Sequence, residues 1–191
     1  MTEKITALCI VAHPDDETIW MGGTISKNSE WKWTILSLCR KNDENRAPKF
    51  RKVCGFYKAS PVIEDLDDET DRHISQKEVE EKILSALKQK RYDYIFTHGE
   101  NGEYGHPRHV DTHKAVKNLT RKKTLSCKKL FFFSIKNNDG KISSPSDGDL
   151  VNVLTKREFA EKISVMRDLY GFAPDGIDAS YCQQTEVFNL K

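Results

Sequence analysis

The chain has 191 residues, with 31 Lys and Arg against 29 Asp and Glu, a net charge of +2. It is long enough to bury a core without disulfide or metal staples. The balanced charge gives no nucleic-acid signal, and a varied sequence that is 37% apolar excludes a low-complexity, disordered chain.

Residues 5–11 form a short continuous apolar run, the pattern of a buried strand, and residues 16–27 read as a helix weakened in the middle by Gly22-Gly23. Residues 33–38 are a second strand. A helix follows from about 48 to 58, with Phe50, Val53, Cys54 and Tyr57 at helical spacing. Residues 61–66 are a third strand, leading into the acidic turn Asp67-Asp68-Glu69. Ser75, with Glu78 three residues on, is a capping-box signature for a helix burying Val79, Ile83, Leu84 and Leu87.

The fourth strand is 92–96, a helix covers 109–119, and the fifth strand is 130–135. The Ser/Asp/Gly-rich stretch 137–149 reads as a loop. Thr155 and Glu158 open a last helix that runs to about Tyr170. Strands alternating with helices predict an α/β fold: a doubly wound, mostly parallel sheet with helices on both faces, in one domain over 1–191.

Cys9, Cys39, Cys54, Cys127 and Cys182 are odd in number and lack C-x-x-C spacing, which fits reduced thiols in a cytoplasmic protein. No apolar run approaches the roughly 18 residues of a membrane span, and no signal-peptide pattern is expected from the residues ahead of the first strand. No Walker A or G-x-G-x-x-G pattern supports nucleotide chemistry.

Two clusters carry chemistry. Ala12-His13-Pro14-Asp15-Asp16-Glu17 closes the first strand, where a histidine and three acids are costly to bury unless they meet a cation or a substrate. His13 and Asp16, three apart, can face one point if the helix starts there, which leaves Asp15 as a free carboxylate. The second cluster runs from His98 through Gly102-Glu103-Tyr104-Gly105-His106-Pro107-Arg108-His109, after the fourth strand, with His113 one helical turn on. In a doubly wound sheet these two strand ends can be neighbours at a switch point. Two histidines and a carboxylate with open positions are the pattern of catalytic zinc or iron. Such an ion lowers the pKa of a bound water toward about 7 and polarises a carbonyl.

These two motifs closely resemble the LmbE-like or PIG-L family of zinc-dependent de-N-acetylases, which release acetate from N-acetylglucosamine-containing compounds. The resemblance implies a Rossmann-like fold and a metal held by His13, Asp16 and His109. It further implies Asp15 as the general base on the attacking water, and His106 as the group that stabilises the oxyanion. Tyr104 and Arg46 would contact the substrate, a small-molecule amino-sugar conjugate. The ion would be Zn2+ or alternatively Fe2+, and the chain could act as a homo-oligomer, with no nucleic-acid partner. Rival readings are a hydrolase of another amide or of an N-glycoside, and a metal-binding module without turnover.

Two departures stand out. Arg108 replaces the acid of the family's common His-Pro-Asp-His form, and a guanidinium there is expected to lower the pKa of His106, leaving it a neutral donor. The glycine-bearing turn after the second strand is replaced by Cys39-Arg40-Lys41-Asn42-Asp43. Other readings are plainer. His109 and His113 could both be ligands, or His113 could simply pack; His98 could shape the loop or line the pocket. His73 is expected in solvent, Trp31 and Trp33 in packing, and Arg46 could be a surface ion-pair residue.

Overall fold

The computed structural model describes residues 4–70, 72–173 and 175–191. Strands β1 (Thr6–Val11), β2 (Lys32–Ser37), β3 (Ser60–Ile63), β4 (Arg91–Thr97) and β5 (Ser126–Phe133) run parallel in the order β3-β2-β1-β4-β5. Helices α1 (Asp16–Lys27), α2 (Arg46–Phe56), α3 (Gln76–Ala86), α4 (Gly102–Gly105) and α5 (Pro107–Arg121) connect them. The strand order reverses between β1 and β4, so a crevice opens at their carboxyl ends. Register pairs Val11 with Ser37 and Ile10 with Thr97, so the three central strands finish level there.

Residues 7–12 have no exposed surface because both sheet faces are covered. Ala7, Cys9 and Val11 join a core with Trp33, Ile35, Phe50 and Phe96, whereas Leu8 and Ile10 join one with Leu36, Val79, Ile83 and Leu119. Trp31 and Trp33 stack at 5.6 Å and pack against this first core, as expected of packing residues. All five cysteines are unpaired. No helix among the described residues is long and apolar enough to cross a membrane.

Helix α1 breaks at Met21, whose φ of −148° is not helical. Its second half restarts beneath Glu186, which accepts the amides of Gly23 at 2.9 Å and Thr24 at 2.7 Å. A Cβ on Gly23 would lie 2.3 Å from Leu154, so the Gly22-Gly23 pair permits a close approach rather than merely weakening the helix.

The last third departs most from the sequence reading. Stretch 137–149 is not all loop: β6 (Lys136–Asn138) and β7 (Lys141–Ser143) form a hairpin around Asp139-Gly140, both at positive φ. Strands β8 (Leu150–Val153) and β9 (Thr185–Leu190) extend the sheet antiparallel beyond β5. Between them lie α6 (Lys156–Ser164), with a complete Thr155–Glu158 capping box, a π-helical continuation over Val165–Tyr170, and the short α7 (Ile177–Ser180).

Candidate metal centre and catalytic pocket

The turn from β1 into α1 is sharp: Asp15 sits at φ 130°, a costly conformation that survives only when its surroundings fix it. Glu17, fully buried, supplies that support. Its carboxylate accepts from the Asp15 amide at 3.1 Å, and from the hydroxyls of Thr18 and of Tyr170 on the π-helical segment, both at 2.7 Å. Burial raises the Glu17 carboxyl to about 6 against these hydrogen bonds.

This turn and the start of α5 bring three donor atoms together. His13 Nδ1 lies 3.3 Å from Asp16 Oδ2, which lies 3.4 Å from His109 Nε2, which lies 3.3 Å from His13 Nδ1. Tetrahedral donors bonded to zinc at about 2.0–2.1 Å stand about 3.3–3.4 Å apart, so the triangle fits a small divalent cation. Each donor is oriented from behind, as metal ligands require. His13 Nε2 contacts Asp68 Oδ1 at 3.0 Å, His109 Nδ1 contacts Glu103 Oε2 at 2.6 Å, and Trp20 Nε1 donates to Asp16 Oδ1 at 3.0 Å.

The electrostatics point the same way. Burial opposes a proton on His13 and His109, yet the surrounding carboxylates prevail and raise them to about 9 and about 10. The centre therefore demands positive charge, as protons or as an ion. Burial alone would raise Glu103, but the imidazoles of His98 and His109 outweigh it and hold the carboxylate at about 2. Glu103 takes a φ of 59°, and its Oε2 bridges the Nδ1 atoms of the two stacked rings.

His98 shapes the loop, with both ring nitrogens engaged by the protein, although its Nε2 also lies 3.5 Å from Asp16 Oδ2. Its Nε2 accepts the Ala12 amide at 3.0 Å, its Nδ1 contacts Glu103 at 2.8 Å, and its ring stacks on His109 with centroids 3.9 Å apart. His113 does not join the triangle: its Nδ1 bonds the carbonyl of His98 and its ring packs on Phe132. His73 is exposed, and bonds Asp111 at 2.6 Å.

A cavity of about 350 Å³ opens over the triangle, lined by Asp15, His106, Arg46, Tyr104, Asp178 and Tyr181 among others. Burial, and then the neighbouring Asp16 charge, raise the Asp15 carboxyl, while Arg46 pulls it back through an ion pair to Oδ2. Arg46 thus reaches the pocket, but its guanidinium is shared between Asp15 and the ring of Phe172, 4.5 Å away. Tyr104 stacks on Tyr181 at 5.1 Å, and both stand near Trp20, forming an aromatic wall.

His106 caps α5: its Nδ1 accepts the Arg108 amide at 3.2 Å, which leaves Nε2 as the protonated, donating nitrogen of a neutral ring. Its pKa is lowered to about 4 by burial first and then by His109 and His13. The direction matches the sequence reading, but the cause does not. The Arg108 guanidinium binds the carbonyls of Asp67, Thr70 and Arg72 and the Asp111 carboxylate rather than His106.

Glu103, Asp68 and Tyr181 carry no role in the expectations drawn from the sequence. Glu103 lay inside the second motif and Asp68 in the acidic turn, so both were visible as carboxylates near strand ends. Nothing in the sequence signals that 178 and 181 fold back over the pocket.

The parallel sheet, the strand-order reversal and an acidic, histidine-bearing pocket at the strand ends define a Rossmann-like α/β protein with a candidate metal centre. A family model described as PIG-L: GlcNAc-PI de-N-acetylase matches residues 8–120, and the chain belongs to that family. A deacetylase of 1D-myo-inositol 2-acetamido-2-deoxy-alpha-D-glucopyranoside from Rhodococcus erythropolis is 26% identical over 153 residues, covering 59% of this chain and 52% of the relative. Across the curated relatives that it matches, the chain spans only 52–57% of their length. Among solved structures, the N,N'-diacetylchitobiose deacetylase of Pyrococcus horikoshii superposes with a TM-score of 0.72 at 16% identity, covering 99% of this chain and 84% of the other. A zinc-inhibited form of teicoplanin deacetylase gives 0.65 at 11% identity, covering 87% and 84%. At these identities the structural matches speak for the fold.

Proposed function

We propose that the chain is one metal-dependent N-deacetylase domain that hydrolyses the acetamide of an N-acetylglucosaminyl conjugate, giving acetate and a free amine in the cytoplasm. The donor triangle of His13, Asp16 and His109 beside the unliganded Asp15 carries this reading. Those three residues would hold zinc or ferrous iron, and the ion would supply Lewis-acid polarisation of the acetyl carbonyl and activation of water.

The protein's own groups do the rest. Asp15, its carboxyl raised by burial, accepts the proton of the attacking water. The neutral His106 Nε2–H donates to the oxygen that becomes negative as the carbonyl carbon turns tetrahedral. The C–N bond then breaks, and the proton held by Asp15 passes to the leaving nitrogen. Arg46 holds Asp15 in place between substrate encounters, and the Tyr104–Tyr181 wall offers a flat apolar face to a sugar ring.

The test is to incubate the purified chain with a panel of N-acetylglucosaminides, with and without chelator, and to assay primary amine. Amine release that the chelator abolishes and zinc or ferrous iron restores supports the reading. One equivalent of tightly bound metal with no amine from any substrate, or release indifferent to chelator, contradicts it.

A further inference from the structure

Arg108 is fully buried and serves no group in the pocket directly. Its Nε donates to the Asp67 carbonyl at 2.5 Å, Nη2 to the Thr70 carbonyl at 2.9 Å, and Nη1 to the Arg72 carbonyl at 2.6 Å and to Asp111 Oδ2 at 3.0 Å. Three of these four acceptors are main-chain carbonyls of the segment between β3 and α3, whose described residues have no helix or strand to satisfy them. Asp111 fastens the far end of the segment by accepting the Ile74 amide at 2.9 Å.

Asp68, beside the first clamped carbonyl, faces the metal centre. Its Oδ1 lies 3.0 Å from His13 Nε2, and its Oδ2 pairs with Arg40. A carboxylate at Nε2 keeps the proton on that nitrogen and leaves the Nδ1 lone pair for the donor triangle. The first turn of α5 therefore contributes twice: His109 as a donor, and the preceding residue as the clamp on the loop that orients a second donor.

We propose that Arg108 is a positioning residue for His13, acting through the clamped carbonyls of Asp67 and Thr70 and the Asp68 carboxylate between them. The planar five-donor fork of Arg108 sets a ligand's tautomer from a distance. The inference rests on the metal-centre reading above. Lysine, a point charge on a flexible stem, cannot reproduce the fork.

The experiment is a double-mutant cycle on zinc affinity, measured on the full chain by competition with a chromophoric chelator. Arg108→Lys is expected to weaken zinc about tenfold or more, and Asp68→Ala by about 10–100-fold. The double variant is expected to be no weaker than Asp68→Ala alone, because both changes release one contact. Affinity unchanged in a folded Arg108→Lys, or losses that simply add, overturn the proposal. Should Arg108→Lys fail to fold, Asp111→Asn keeps the guanidinium but removes its carboxylate anchor. It is expected to weaken zinc several-fold, an effect that vanishes in the Asp68→Ala background; an equal loss in both backgrounds overturns the positioning role. A wild-type chain that binds no zinc overturns the metal-centre reading as well, whereas wild-type binding matched by Arg108→Lys overturns this inference alone.

Discussion

Residues 12–109 and residues 136–191 contribute to the pocket in opposite ways. The first region supplies all three triangle donors together with Asp15 and His106, from the ends of two adjacent parallel strands. The second supplies props and walls: Tyr170 behind Glu17, Glu186 against the restarted half of α1, and Asp178 and Tyr181 over the cavity. The donor triangle forms where the topology forces strand ends together, and support comes from wherever the chain happens to return. Changes in the first region should stop turnover or loosen the metal while leaving the fold standing. Changes in the second should cost stability first.

The largest effect falls on Asp15. Asp15→Ala should lower kcat by about 10²–10⁴-fold with metal content unchanged, as loss of a general base predicts. Full activity in that variant would remove Asp15 from the mechanism.

Glu186→Gln is the matching break in the second region. It strips the buried Lys162 ammonium of the countercharge 2.8 Å away and turns an amide NH2 toward the Thr24 donors or the ammonium, and should cost about 3–5 kcal/mol of unfolding free energy in denaturant titrations. A loss below about 1 kcal/mol would mean that the C-terminal prop is dispensable.

Glu103→Gln sharpens the division, because it sits in the first region but acts as a support. It should weaken zinc by about 10–100-fold through misorientation of His109. Zinc affinity equal to wild type would show that the carboxylate does not orient the ligand.

The smallest effect is a pH dependence of the ion-free protein. Against burial, Asp16 and Asp68 raise His13 to about 9, and Asp16 and Glu103 raise His109 to about 10, above the ordinary histidine value. The stabilisation they bring is complete below pH about 6.5 and is lost as pH rises through about 9–10. The Tm of chelator-treated protein should therefore fall by several degrees between pH 7 and 10, and one equivalent of zinc should flatten that slope. Parallel profiles with and without zinc would argue that the two imidazoles are not held by these carboxylates.

Much of the first region is legible in the sequence alone. The runs 5–11 and 92–96 fall within a residue of β1 and β4 because parallel strands covered on both faces leave unbroken apolar segments. The same rule fails in the second region. Strands β8 and β9 lie towards the edge of the sheet, where β8 is half exposed, and β6–β7 is a polar hairpin betrayed only by Asp139-Gly140. Helix α2 starts at Arg46, two residues ahead of the Pro48 expected to open it, since proline is tolerated in a first turn.

Within the site, types and spacing pointed to His13, Asp15 and Asp16 and the family resemblance to His106 and His109; the structure brings His13, Asp15, Asp16 and His106 to the pocket lining, with His109 buried beneath it. Spacing could not reveal which way Arg108 points. That direction depends on unsatisfied carbonyls some 40 residues upstream, a tertiary demand with no local signature.

The most direct test of the metal centre is the anomalous difference map of zinc-loaded crystals collected at the zinc edge. One strong peak per chain is expected, within bonding distance of His13 Nδ1, Asp16 Oδ2 and His109 Nε2, with Asp15 outside the coordination sphere. A peak that takes His106 or Asp15 as a ligand in place of Asp16, or no peak at this triangle, would contradict it.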